Sequence, residues 1–145
     1  MGNRAVLAIG SEQSAKFGIY LHWNGGRPSV EGLLDATREL MKDRGPDAIY
    51  GPARLVQVIG NFMGGTLSLG LGALDELDCD NGDNGVYYID PESLQIIGRK
   101  FAPPTEQAKD GYREGVRDCA IKQSKEPFTR EERERAKRAA KAVQS

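Results

Sequence analysis

The sequence predicts an α+β fold: an antiparallel sheet of two hairpins, two packed helices and a C-terminal helical tail. Three observations carry that expectation. Short apolar segments come in two pairs, 4–9 with 17–23 and 86–90 with 94–100, each joined by turn residues. Two longer stretches between them repeat apolar residues at helical spacing. The segment 105–145 is strongly charged and has only a thin apolar stripe.

Residues 4–9 and 17–23 read as strands around the Gly10-Ser11 turn. Alternation in the second places Phe17, Ile19, Leu21 and Trp23 on the face expected to meet the core, with Gly18, Tyr20 and His22 opposite. Asn24 to Pro28 is a loop, and Ser29 is expected to cap a helix to about Lys42, with Val30, Leu33, Leu34, Thr37, Leu40 and Met41 on its apolar side. A second helix starts near Pro52, carries Leu55, Val56, Ile59, Phe62 and Met63, and stops at Gly64-Gly65. Residues 66–70 read as a short strand and 75–85 as an acidic loop. Residues 86–90 and 94–100 form the second hairpin around Pro91. Ala102-Pro103-Pro104 marks the expected end of the ligand-binding core, 1–104, ahead of a charged helical tail, 105–145. In that tail Ala108, Tyr112, Val116 and Ala120 suggest one helix, and Thr129 with Glu132 reads as the capping box of another.

A chain of 145 residues suits one domain. Its net charge of -1 does not suit coating nucleic acid with the whole surface. No apolar run approaches the ~18 residues of a membrane span, and the N-terminus lacks the apolar stretch of a secretory signal. A cytoplasmic protein is therefore expected, with Cys79 and Cys119 as free thiols. Residues 75–92 hold seven acids and no base, whereas 125–145 hold seven bases and four acids, so opposite charges sit at separate parts of the chain.

Several residues are candidates for chemistry, each with a plainer alternative. His22, the single histidine, could contact a ligand, act as a general base or make one structural hydrogen bond. Asn24-Gly25-Gly26-Arg27 leads into a helix N-terminus, where free amides favour anions and Arg27 adds a fork of donors; the same loop could be a simple strand-to-helix turn. Trp23 offers a face for stacking a base. The 75–85 loop does not fit the ligand spacing of the usual calcium loop. It remains open as an irregular ion site, as a turn whose Asn and Asp side chains bond their own backbone, or as a recognition loop through Asn81, Asp83 and Asn84. Arg54 and Asn61, seven apart, share a helix face that could be merely solvated. The basic residues from Arg130 to Lys141 alternate with glutamates, as on a solvated face. No serine or cysteine stands in a nucleophile motif, and no cofactor or metal is expected.

Four segments taken together, Asn3-Arg4-Ala5-Val6, Tyr20 to Gly26, Ala53 to Phe62 and Asp80 to Tyr87, resemble a family of small proteins of phages and mobile elements. The resemblance spans roughly residues 1–100. That family is similar to the phage anti-defence sponges of the first Thoeris anti-defence type. The resemblance implies a homo-oligomer that binds an anionic cyclic nucleotide or ADP-ribose-type immune signal in the host cytoplasm and sequesters it without cleavage. It implies binding through Arg27, Arg54, Asn81 and Asp83, with Trp23, Phe62 and Tyr87 competing as the stacking aromatic.

The expected ligand contacts are thus His22, Trp23, Asn24, Arg27, Arg54, Asn61, Phe62, Asn81, Asp83, Asn84 and Tyr87. They require the loops at 24–28 and 80–85 to meet in space. Two other functions compete. One is an inhibitor that grips a host defence enzyme and uses the acidic loop as a nucleic acid mimic. The other is a metal-dependent hydrolase using His22 with Asp80 or Asp83.

Overall fold

β1 (Ala5–Ile9) is apolar throughout and buried on both faces, the signature of a central strand. The computed structural model describes residues 2–104, 106, 111–125 and 130–144. β1 pairs antiparallel with β2 (Phe17–Leu21), which pairs antiparallel with β3 (Leu69–Ala73). On its other side β1 runs parallel to β4 (Val86–Ile89), which pairs antiparallel with β5 (Ile96–Lys100). The order is β3-β2-β1-β4-β5. Both expected hairpins are present in an α+β fold, but the seam joining them is parallel, so the sheet is mixed. β4 is buried on both faces like β1, and two such strands lie together at the centre. The strand expected at 66–70 lies at 69–73, where it follows the edge of β2.

α1 (Arg27–Met41) starts after Gly26 with Pro28 in its first turn. Ser29 is therefore inside the helix and buried; it is not the cap. α2 (Tyr50–Met63) opens at Asp47, whose Oδ1 accepts the Ile49 and Tyr50 amides at 2.9 and 3.0 Å. It ends at Gly64 in the left-handed conformation, φ 65°. Leu33 and Leu34 of α1 and Leu55, Val58 and Ile59 of α2 pack onto the sheet face made by Leu7, Ile19, Leu21, Tyr87 and Ile89. On the opposite face Val6, Ala8, Val86 and Tyr88 are covered by Tyr20, Leu74, Leu77 and Cys79. Phe17, the first residue of β2, and Trp23, two residues past its end, are expected on the core face but remain 42% and 44% exposed.

α3 (Tyr112–Lys125) packs on α1 and α2 and buries Val116 and Ala120 in the main core. The compact unit therefore continues past the expected boundary at 104. A Cβ on Gly32 would stand 2.5 Å from the Arg113 carbonyl oxygen and 2.9 Å from the Val116 Cβ, so the two backbones meet where α1 has no side chain. Arg113 locks the crossing: Nε donates to Asp35 Oδ2 at 2.6 Å and Nη1 to Glu31 Oε2 at 3.0 Å. α4 (Arg130–Gln144) has no buried residue among those described. The expected cap at Thr129 and the apolar position at Ala108 lie outside the described residues. Among the described residues no helix is long and apolar enough to cross a membrane.

The crossing gives a test in which one chemical change has opposite signs at two helical sites. Gly32→Ala is expected to lower stability by about 1–3 kcal/mol through overpacking. Gly115→Ala, with open space around it, is expected to raise stability by about 0.5–1 kcal/mol. Urea denaturation of the two variants reads both values.

Candidate functional site at one end of the sheet

The parallel seam decides what meets what. Because β1 and β4 start at the same end and β2 finishes there, three chain segments converge: 2–4 before β1, 22–27 after β2 and 81–85 before β4. The Asn3-Arg4 backbone runs between the two loops. Asn3 N–H donates to the His22 carbonyl at 2.8 Å, and Gly25 N–H donates to the Asn3 carbonyl at 2.8 Å. On the other side Arg4 N–H donates to Asp83 Oδ2 at 3.0 Å, and Asn84 N–H donates to the Arg4 carbonyl at 3.1 Å. The two loops thus meet through this segment. β4 adds its own link to the 22–27 loop, since the Tyr87 hydroxyl donates to the Gly25 carbonyl at 2.7 Å.

The 81–85 loop is shaped from within. Asn81 is 3% exposed and makes four bonds to backbone. Its amide donates to the Asp78 and Gly85 carbonyls, and its oxygen accepts the Asp83 and Gly85 N–H groups. Asn84 Nδ2 reaches both Asn3 Oδ1 and the Arg4 carbonyl. Gly85 has φ 62°, and a Cβ there would lie 2.1 Å from the Lys100 carbonyl oxygen, so only glycine fits. Of the loop's open alternatives, the self-bonding turn is the one these contacts describe. Asp75, Glu76, Asp78 and Asp80 remain exposed beside it. Among the described residues no group of three or more His, Cys, Asp or Glu could hold a metal ion.

Charge at this end is paired. Arg4 Nε donates to Asp83 Oδ2 at 2.8 Å, and this bond, with the Arg4 amide, holds the Asp83 carboxyl below its ordinary range. Arg99 lies opposite Tyr87 across β4 and β5, with its guanidinium 3.7 Å above the phenol ring. Arg99 Nε and Nη2 donate to the Val86 and Asn84 carbonyls at 3.2 and 2.7 Å, and Nη1 pairs with Glu106. Burial pushes the Tyr87 phenol up to about 12, against the opposing charge of Arg99. Arg27 Nη1 donates to the other oxygen of Glu106 at 2.9 Å, and its Nε to Glu31 at 3.2 Å.

The structure thus gathers His22, Trp23, Asn24, Arg27, Asn81, Asp83, Asn84 and Tyr87 at one end and gives them different tasks. Asn81, Asn84 and Tyr87 are buried scaffold, and Tyr87 has Arg99 on its ring face. Trp23 is half-exposed, with its ring edge-on to His22 at 5.2 Å, and Asn24 sits in the left-handed region at φ 59°. His22 Nδ1 is hydrogen-bonded to the Tyr20 hydroxyl at 3.0 Å. The remaining candidates lie on helices. Arg54 donates to Gln57 and lines a groove of about 540 Å³ with Leu40, Met41, Arg44 and Tyr50. Asn61 donates to the Ser124 hydroxyl of α3 at 3.2 Å, and Phe62 packs half-buried on the core. Arg4, Arg99 and Glu106 were absent from the candidates. Arg4 stands in the Asn3-Arg4 run of the family-like pattern, whereas Arg99 and Glu106 have no local signal.

Two substitutions separate shape from charge. Asn81→Ala strands buried amides and carbonyls and is expected to cost more than about 2 kcal/mol, read by urea denaturation. Asp83→Asn tests linkage. A depressed folded pKa stabilises above the unfolded carboxyl value of about 3.9, and that contribution fades as pH falls through the folded value. The melting-temperature gap between wild type and Asp83→Asn is therefore expected to hold near neutrality and close in acid. Comparison of the chain with protein-family models, curated proteins and solved structures found no match.

Proposed function

We propose that this chain is a binding protein that captures an anionic, nucleotide-like ligand of cyclic nucleotide or ADP-ribose type and releases it unaltered. The observation that carries the reading is the junction of the 22–27 and 81–85 loops on Asn3-Arg4, which brings Arg4, Arg27, Arg99 and an exposed indole to one end of the sheet. Guanidinium groups match phosphate oxygens with paired donors. An indole face stacks any base, worth about 1–3 kcal/mol. Asn81, Asn84 and Tyr87 hold the frame, while contact falls to Trp23, His22, Asn24 and Arg27. Capture without turnover is the action of a phage anti-defence sponge that removes a host immune signal. Assembly into a homo-oligomer fits the bare edge strand β3, which carries no charge and leaves Leu71 63% exposed.

A second reading is favoured by one observation. Asp75, Glu76, Asp78 and Asp80 project into solvent from one short segment, the charge pattern of an inhibitor that replaces nucleic acid on a host defence enzyme.

Calorimetric titration with cyclic dinucleotides and ADP-ribose derivatives tests the first reading, with chromatography of the recovered ligand. Saturable binding with intact ligand is expected, and Trp23→Ala is expected to weaken it about 5- to 150-fold. Altered ligand would make the chain an enzyme. An absence of binding across the panel would move the function to the acidic surface.

A further inference from the structure

The working end of the sheet already holds an anion. Arg99 is positioned without help from Glu106: two backbone carbonyls take its Nε and Nη2, and Tyr87 supports its flat face. Its side chain is 13% exposed, and Nη1 is left directed at the Glu106 carboxylate. Arg27 arrives from a different element, the first turn of α1, where its Nε donates to Glu31 of the same helix at 3.2 Å. It places Nη1 2.9 Å from the second carboxylate oxygen. Two guanidinium groups from a strand and a helix thus share one carboxylate, each taking one oxygen. Glu106 itself lies in neither helix nor strand.

We propose that the Arg27–Arg99 pair is the phosphate subsite of this protein, and that Glu106 is an internal stand-in which a ligand phosphate displaces. This inference rests on the nucleotide-binding reading above and names its anion contact. A phosphate group offers more oxygens and more charge than a carboxylate to the same two forks. A resident carboxylate lowers the apparent affinity by the fraction of time it occupies the site. It also sets a threshold, since weakly charged anions fail to displace it while pyrophosphate-bearing ligands succeed.

The test uses the full chain and inorganic pyrophosphate as the probe. Affinity is measured by calorimetry for wild type, Glu106→Gln, Glu106→Asp and Glu106→Gln with Arg27→Ala. Glu106→Gln keeps the shape but loses the charge, and it is expected to bind about 10-fold more tightly than wild type. Adding Arg27→Ala is expected to erase that gain. Glu106→Asp, one methylene shorter, is expected to fall between wild type and Glu106→Gln, and it carries the comparison if the glutamine variant does not fold. Unchanged or weaker binding in both Glu106 variants would overturn the inference, as would a gain that survives loss of Arg27. If wild type binds nucleotides while neither Glu106 variant gains affinity, the subsite fails and the broader reading stands. If neither nucleotides nor pyrophosphate bind any variant, both fail.

Discussion

Backbone polar groups need partners, and the segment Asn3-Arg4, exposed at Asn3 and half-buried at Arg4, offers four of them between two loops. All four are paired: the N–H and C=O of Asn3 with the 22–25 loop, those of Arg4 with the 83–84 loop. Neither loop moves away without breaking hydrogen bonds of this segment, each worth about 0.5–1.5 kcal/mol. The glycines follow from the same crowding. A Cβ on Gly25 would stand 2.5 Å from the Asn3 carbonyl oxygen, and one on Gly85 would meet the Lys100 carbonyl oxygen. The pairing of this short segment holds the 22–27 and 81–85 loops together, and Arg99 of β5 joins them by donating to the Asn84 carbonyl.

That frame explains why so many polar residues at this end are unsuited to direct ligand contact. A buried amide with every group bonded, such as Asn81, gains nothing by turning toward a ligand. The Tyr87 phenol is spent on the Gly25 carbonyl and its ring on Arg99. Rigidity of this kind is useful to a protein that binds without catalysing, because ordering the site beforehand reduces the entropy lost on capture. In the proposed subsite the choice is left to charge: exchange of the Glu106 carboxylate for another anion at Arg27 and Arg99 would leave the frame beneath them in place.

Much of the fold was legible in the sequence. Alternation in 17–23 and the turns at Gly10-Ser11 and Pro91 are local signals, and both hairpins followed from them. The parallel seam was not local: β2, two helices and the edge strand β3 lie between β1 and β4 in the chain, and only the unbroken apolar character of β1 and β4 hinted at burial on both faces. The role of α3 was hidden because its buried residues are just Val116 and Ala120, and its seat is the missing side chain of Gly32. At the site, the loops named from Asn, Asp and Gly content do come together. Arg54 illustrates the limit: the sequence offers it as a ligand contact, yet the helix turns it into a different groove. Arg99 comes from β5 and Glu106 lies outside every helix and strand, and nothing in the sequence near either one points to the other or to Arg27.

The groove beside Arg54 and the end of the sheet are distinct places, and backbone amide shifts during titration with an ADP-ribose-type nucleotide decide between them. The largest shifts are expected at Gly25, Gly26, Arg27, Gly85 and Arg99, with small changes elsewhere. Shifts centred on Leu40, Arg44, Tyr50 and Gln57, with the sheet end unmoved, would contradict binding at the sheet end.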